Sequence, residues 1–223
     1  MTRRIVVVTA GVSNPSSTRL LADRIAEAVG TQVSARGESA EIEVIELREL
    51  AADLATTMTT GGMPTGAVKR ARDLVSSADG LVAVTPVFTA SYSGLFKMFV
   101  DILDTDALTG MPVIIAATAG TARHQLVLDH ALRPLFTYLR AVVVPTGVFA
   151  ATEDFGGGDH DSLAARITRA ASELAGLVVS ESGAVAGFAP NAEDLAAPRR
   201  RRSGNDIPTE VTDFETMLGG LGQ

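Results

Sequence analysis

Residues 5–28 read IVVVTAGVSNPSSTRLLADRIAEA. Ile5–Thr9 is β-branched and almost continuously apolar, the pattern of a strand buried on both faces. Gly11 to Thr18 is a polar turn. Leu21, Ile25 and Ala28 then recur at i, i+4 and i+7, which is the apolar stripe of a helix. A buried strand, a tight polar turn and an amphipathic helix make one β–α unit. The fold depends on whether that unit repeats.

It does. Glu41–Glu46 alternates apolar and acidic residues and reads as a strand nearer a sheet edge. Val68, Ala71, Val75 and Ala78 give a second helical stripe. Gly80–Thr85 is a third strand, followed by a helix marked by Leu95, Met98, Phe99 and Ile102. Pro112–Thr118 is a fourth strand, with Leu128, Ala131, Leu135 and Leu139 on the helix after it. Val142–Val148 is a fifth strand in which Pro145 signals an edge position or a bend. Leu163, Ile167, Ala170, Leu174 and Val178 close the series. Strict alternation calls for a parallel sheet with helices on both faces, because right-handed crossovers place them there. The expectation is an α/β, flavodoxin-like three-layer sandwich. Its five-stranded parallel sheet would have the order 2-1-3-4-5.

That unit covers residues 1–180. Residues 181–223 change character and read as a linker and C-terminal tail. Pro198 opens a run of four arginines, Arg199 to Arg202. A solvated linker suits that run better than a nucleic-acid patch in an acidic chain. Thr212 and Glu215 have capping-box spacing. Val211, Phe214, Leu218 and Leu221 form a short apolar stripe. The segment reads as a small docking helix or as a disordered tail.

Composition excludes several chemistries. The 223 residues contain no cysteine, so thiolate catalysis, iron–sulfur clusters and Cys-type zinc sites are out. A net charge of −7 argues against a nucleic-acid partner, since phosphate neutralisation needs a basic surface. No apolar run approaches the roughly 20 residues of a membrane span. The run Ile5–Val8 is too short for a signal-peptide core. A cytoplasmic protein with no membrane partner is expected. With eight Phe, two Tyr and no Trp, any ring ligand must be held largely without aromatic stacking.

In open parallel sheets, ligands bind beyond the carboxyl ends of the strands where strand order reverses. Three loops meet there. The first carries Ser13, Ser16, Ser17 and Thr18 at the opening of a helix, where hydroxyls, backbone N–H groups and the helix dipole favour an anion. No P-loop lysine and no GxGxxG is present, so a single phosphate monoester fits better than a triphosphate or dinucleotide. The same residues are also good helix N-caps. The second loop, Thr85 to Gly94, is rich in small residues and carries Phe88 and Tyr92. Its backbone can pass along the edge of a flat heteroaromatic ring, or its aromatics can serve packing alone. The third, Thr118 to His124, has Gly120 for close backbone approach. Arg123 and His124 can meet a second anion or simply be solvated. Lys97 and Asp101, at i and i+4, read as a helix-surface ion pair. His160, between Asp159 and Asp161, reads as part of a solvated Gly-rich loop and not as a metal ligand.

The stretch TPVFTASYSGLFKMFVDIL, Thr85 to Leu103, resembles the second flavin loop of the NADPH-dependent FMN reductase family, T-P-x-Y/F-x-x-S-Y-x-G-x-x-K-x-x-x-D. ATAGTARHQLVLDHALRPLF, Ala117 to Phe136, resembles that family's third loop and following helix. It is most similar to the reductases of two-component alkanesulfonate and methanesulfinate monooxygenase systems, as is Gly147-Val148-Phe149-Ala150. The likeness runs over residues 4–178. The first loop, GVSNPSS, departs from the family's G-S-x-R-x-x-S by lacking the arginine, so either phosphate affinity is lower or Arg19 takes that place. Ala119 replaces a glycine. His130 stands where the alkanesulfonate-type reductases carry a Tyr associated with a π-helical bulge at the subunit interface, which puts a bulge here in question.

The resemblance implies FMN phosphate at Ser13, Ser16, Ser17 and Thr18. It implies the isoalloxazine ring against Pro86, Val87, Phe88, Thr89 and Ser91 on one side. On the other it implies Thr118, Ala119, Gly120 and Thr121. Nicotinamide from NADPH or NADH would pass hydride to flavin N5, with no general acid and no metal. A flavin-dependent monooxygenase partner and a homodimer or homotetramer are also implied. The helix from Gly94 to Leu103, apolar on more than one side, agrees with burial or an interface. Two alternatives stay open at this point. One is a quinone or azo reductase with FMN as prosthetic group. The other is a non-catalytic flavodoxin-like flavin-binding protein.

Overall fold

Continuous β-branched sequence makes β1 (Thr2–Thr9), in which Ile5, Val6 and Val7 are fully buried. The computed structural model describes residues 1–156, 160–180 and 201–205. After β1 come α1 (Ser17–Ser34), β2 (Ser39–Glu46), α2 (Ala51–Thr59) and α3 (Gly66–Ser76). Then follow β3 (Gly80–Phe88), β4 (Ser91–Tyr92), α4 (Gly94–Asp101) and β5 (Pro112–Ala119). The chain continues through α5 (Arg133–Tyr138), β6 (Val142–Val143), β7 (Val148–Ala151), α6 (Thr152–Gly156) and α7 (His160–Ser180). His160 therefore opens a helix and is not part of a loop.

The sheet runs β2-β1-β3-β5-β6, and β7 also pairs with β5. This is the expected doubly wound order, with the fifth place shared by β6 and β7. The sheet has seven strands, not five. Pro145 is one reason: it cannot donate to a ladder and divides the fifth strand. The carbonyls freed around it are satisfied by Arg133, which donates to Val144 O at 3.2 Å and Pro145 O at 3.1 Å. The other reason is β4, which folds back antiparallel on β3 through the pairs Val87–Tyr92 and Phe88–Ser91. Thr89 and Ala90 between them have φ of 48° and 63°. Both central residues are left-handed, the backbone of a type I′ hairpin turn.

Two hydrophobic layers flank the sheet. On one face α1 and α7 bring Leu21, Ile25, Leu174 and Val178 against Val7, Val82 and Ile114. On the other, Phe96, Phe99 and Phe136 cover Ile115, Val113 and Leu81. Side-chain caps fix the helix starts: Ser16 for α1, Thr65 for α3 and Ser93 for α4. Helix α2 was not apparent from periodicity, because within it only Leu54 and Thr57 are buried. Lys97 and Asp101 pair on the surface of α4, as their spacing predicts.

The chain ahead of α5 corrects another expectation. Leu128–Leu132 is a π-helical turn, with Arg133 N–H donating to Leu128 O. The bulge forms with His130 in it. Pro134 follows directly, and it has no N–H for the ordinary bond to the His130 carbonyl. A proline in the next turn, without a tyrosine, accompanies the wider turn here.

Residues 201–205 lie across the amino ends of β3 and β5. Arg201 donates to the carbonyls of Ala78 and Thr109, so it is docked and not a solvated linker residue. The buried Arg72 donates to Ser203 O at 2.9 Å and Gly204 O at 2.6 Å. Burial pulls the Arg72 guanidinium below the usual arginine range, and Asp104 and Asp73 oppose that pull. Gly204 has φ of 68°, and a Cβ there would stand 2.2 Å from Arg72 Nη2. Arg72→Ala is expected to cost about 2 kcal/mol in urea unfolding. It should also speed tryptic cleavage at Arg201 and Arg202. Unchanged cleavage would show that the clasp does not hold. The expected docking helix at 211–221 lies outside the described residues. No helix among the described residues is long and apolar enough to cross a membrane.

Candidate functional site

The turn after β1 is built around Gly11. A Cβ at this position would stand 2.1 Å from Ser16 Oγ and 3.1 Å from Thr18 Cβ, so only glycine lets the loop close. Ser16 Oγ is turned inward and accepts Arg19 N–H at 3.2 Å as the α1 cap. That leaves Ser13 and Ser17 exposed on the open side; with the buried Thr18 they line a cavity of about 210 Å³. There is no acidic residue in the first turn of α1 to oppose an anion.

The second loop is locked from beneath. The fully buried Thr85 hydroxyl donates to Pro86 O at 3.0 Å and accepts Ser93 N–H at 3.0 Å. Ser93 then caps α4 by accepting Phe96 N–H. Pro86, Val87 and Phe88 are thereby held as a wall of the same cavity. Phe88 is 48% exposed, a large apolar ring left facing outward at its edge. Thr89 and Ser91 belong to the hairpin and do not line the cavity.

The third loop supplies Thr118, Ala119 and Gly120 to the opposite wall. A Cβ on Gly120 would meet no atom within 4 Å, so the wall is open there. Thr121 faces away, capping the 3-10 turn Ala122–His124. Arg123 and His124 are exposed and lie outside the cavity lining. The cavity also draws on Val12 and Thr152, which sequence reasoning missed. Thr152 follows β7, whose end was hidden by the break at Pro145. Val12 is an apolar residue in a polar loop and carries no signal of its own.

Loops one and three are joined by a buried hydroxyl pair, Thr18 Oγ1 to Thr118 Oγ1 at 2.7 Å. Thr118→Val would leave the Thr18 hydroxyl buried without its partner. It is expected to cost about 1–3 kcal/mol in urea unfolding, and the Thr18→Val/Thr118→Val double variant should recover part of that loss. Equal losses for the single and double variants would contradict the pairing.

The donor set fits a phosphate monoester carrying a flat ring. Hydroxyls and helix N–H groups gather at one end, and small residues and an open glycine wall form the other. Thr9 Oγ1, at the end of β1, is buried with no hydrogen-bond partner among the described residues. A larger hollow of about 470 Å³ lies beside the π turn. Among the described residues it is lined by Asp129, Glu153 and Asp154 with a single arginine, Arg166. Three carboxylates repel phosphate, so its size does not make it the better phosphate site.

Comparison with known proteins agrees with this chemistry. The chain is 39% identical over 178 residues to an FMN reductase (NADPH) of Pseudomonas aeruginosa, covering 78% of this chain and 91% of that relative. It is 40% identical over 169 residues to the NADH-dependent FMN reductase SfnE of Pseudomonas putida, covering 75% of this chain and 88% of the relative. The crystal structure of an oxidoreductase from Corynebacterium diphtheriae superposes with a TM-score of 0.79 at 63% identity. That match covers 81% of this chain and 99% of the other. The sequence profile of NADPH-dependent FMN reductases matches residues 3–156. The chain belongs to the NADPH-dependent FMN reductase family.

Proposed function

We infer that the chain is an NAD(P)H:FMN oxidoreductase that binds FMN in the cavity between the three loops. Bound FMN supplies a hydride acceptor, N5 of its isoalloxazine ring. Ser13, Ser17 and Thr18, with the N–H groups opening α1, would take the phosphate. Pro86–Phe88 and Thr118–Gly120 would border the ring. No residue needs to act as acid or nucleophile. The protein contributes position and electrostatics, which is how oriented hydride transfer gains rate.

The single observation that carries this reading is the convergence of all three loops on one cavity beside the first turn of α1, which contains no acidic residue. Phe88 is the only aromatic lining residue among the described residues, so the grip on a ring would be weak and one ring face would stay accessible. This favours a flavin that leaves after reduction over a retained prosthetic group. It also disfavours the quinone or azo reductase and the electron-carrier readings. We further propose delivery of reduced flavin to a partner monooxygenase. The likeness of the third loop and following helix to reductases of two-component systems supports it.

A homodimer or homotetramer fits the exposed apolar residues Leu126 (58%) and Tyr138 (78%), near the π turn and on α5. A cytoplasmic location fits a cysteine-free chain of this charge. Residues 1–180 would form the reductase domain and 181–223 an appendage. The test is gel filtration followed by kinetics in which FMN and each nicotinamide are varied. Protein that elutes free of flavin, and whose rate saturates with added FMN, supports FMN as substrate. Flavin that co-elutes, with strong quinone turnover, contradicts it.

A further inference from the structure

We propose that Glu46 sets the affinity of the phosphate loop by holding the guanidinium of Arg19 away from the incoming anion. The inference rests on the FMN reading above. Glu46 ends β2, and its carboxylate is shared by two arginines. One oxygen accepts from Arg19 Nη1, and the other pairs with Arg48 Nε at 2.8 Å. Arg19 lies in the first turn of α1, where its N–H serves the Ser16 cap. Arg48 touches the loop itself, since its Nη1 donates to Ser13 O at 3.1 Å. The cluster is therefore continuous with the residues that would meet phosphate.

The loop lacks an arginine of its own, yet two cations border it. Neither is available as a free charge. Arg19 is held between Glu46 and Asp23, with Nε to Asp23 Oδ1 at 2.7 Å. These bonds keep its proton bound more tightly than usual, with the Asp23 contact the largest cause. Arg48 is committed to Glu46 and to the Ser13 carbonyl. Glu46 is the only carboxylate among the described residues that pairs with both. It competes with phosphate for Arg19 and adds its own negative charge beside the anion site. The Asp23 contact is an exposed i,i+4 pair of modest strength and leaves Nη1 free once Glu46 is neutral.

This gives the loop a weaker hold on phosphate than its two arginines would otherwise provide. For a reductase that releases flavin, such a balance favours turnover over retention. Arg48 has a different part: it positions Ser13.

The experiment uses the full chain, freed of flavin, with fluorescence titration by FMN and by riboflavin, which lacks the phosphate. Glu46→Gln removes the charge and leaves one acceptor oxygen in place of two, so its amide cannot accept from both arginines. It is expected to bind FMN about fivefold more tightly while riboflavin affinity stays the same. In the Arg19→Gln/Glu46→Gln double variant the gain should disappear, because the released guanidinium is gone. Unchanged or weaker FMN binding by Glu46→Gln would overturn the inference. So would a parallel shift for riboflavin, or a gain that persists without Arg19. A wild-type chain that binds FMN no better than riboflavin would overturn the phosphate assignment itself, and the inference with it.

Discussion

Gly11→Val is expected to lower FMN affinity roughly ten- to a hundredfold, the scale of losing a hydrogen bond to a charged phosphate, about 1.5–3 kcal/mol. The Cβ alone would stand 2.1 Å from Ser16 Oγ, with Thr18 Cβ at 3.1 Å and Ser16 Cβ at 3.2 Å. Ser16 would have to leave its cap position, which costs about 1 kcal/mol by itself. Thr18 would move with it and break its bond to Thr118. Fluorescence titration with FMN measures the loss, and the thermal midpoint reports the missing cap. Riboflavin binding should fall far less, because the ring is bordered by the other two loops. Wild-type FMN affinity in Gly11→Val would contradict the assignment of this turn to phosphate.

Phe96→Ala is expected to destabilise the protein by about 3–5 kcal/mol. Phe96 is 1% exposed. Its ring centroid lies 6.1 Å from that of Tyr92 and 6.3 Å from that of Phe136. It therefore joins the hairpin to α4 and α5 beneath the second loop. Domains of this kind have only about 5–15 kcal/mol in total, so the loss takes a large share. Urea unfolding measures it. A cost under about 1 kcal/mol would show that the site can collapse around the gap and that the aromatic cluster is not the main support of this loop.

The amino-acid sequence makes the layered fold legible because its buried strands are long and unambiguous. Ile5–Thr9, Gly80–Thr85 and Pro112–Thr118 all become central strands, and the half-polar Glu41–Glu46 lies at the edge. What escaped had no local signature. The Thr89–Ala90 turn adopts left-handed backbone without glycine or asparagine, the residues that normally reveal a hairpin. Pro145 announces a break but not that β7 resumes beyond it. That shift hid Thr152, which enters the cavity only because the last strand ends later than periodicity suggests. The π turn arises beside Pro134, and Arg201 docks through backbone carbonyls, which no sequence pattern marks.

The candidate site divides in the same way. Ser13, Ser17, Thr18, Pro86, Val87, Phe88, Thr118, Ala119 and Gly120 converge, since strand ends dictate which loops meet. Ser16, Thr89, Ser91 and Thr121 are of the right type but are spent on caps and on the hairpin. Hydroxyls at a helix start can serve either purpose, and only the geometry separates Ser16, which caps, from Ser17, which faces the cavity. The Glu46 cluster is still less visible, because Arg19 and Glu46 are 27 residues apart and meet only where β2 ends beside α1.

Oxidation of NADPH and of NADH, followed at 340 nm with and without added FMN, tests the central claim most directly. The account predicts little oxidation without flavin and a rate that rises to saturation with FMN for at least one nicotinamide. Absence of any FMN-dependent oxidation with both nicotinamides would contradict it.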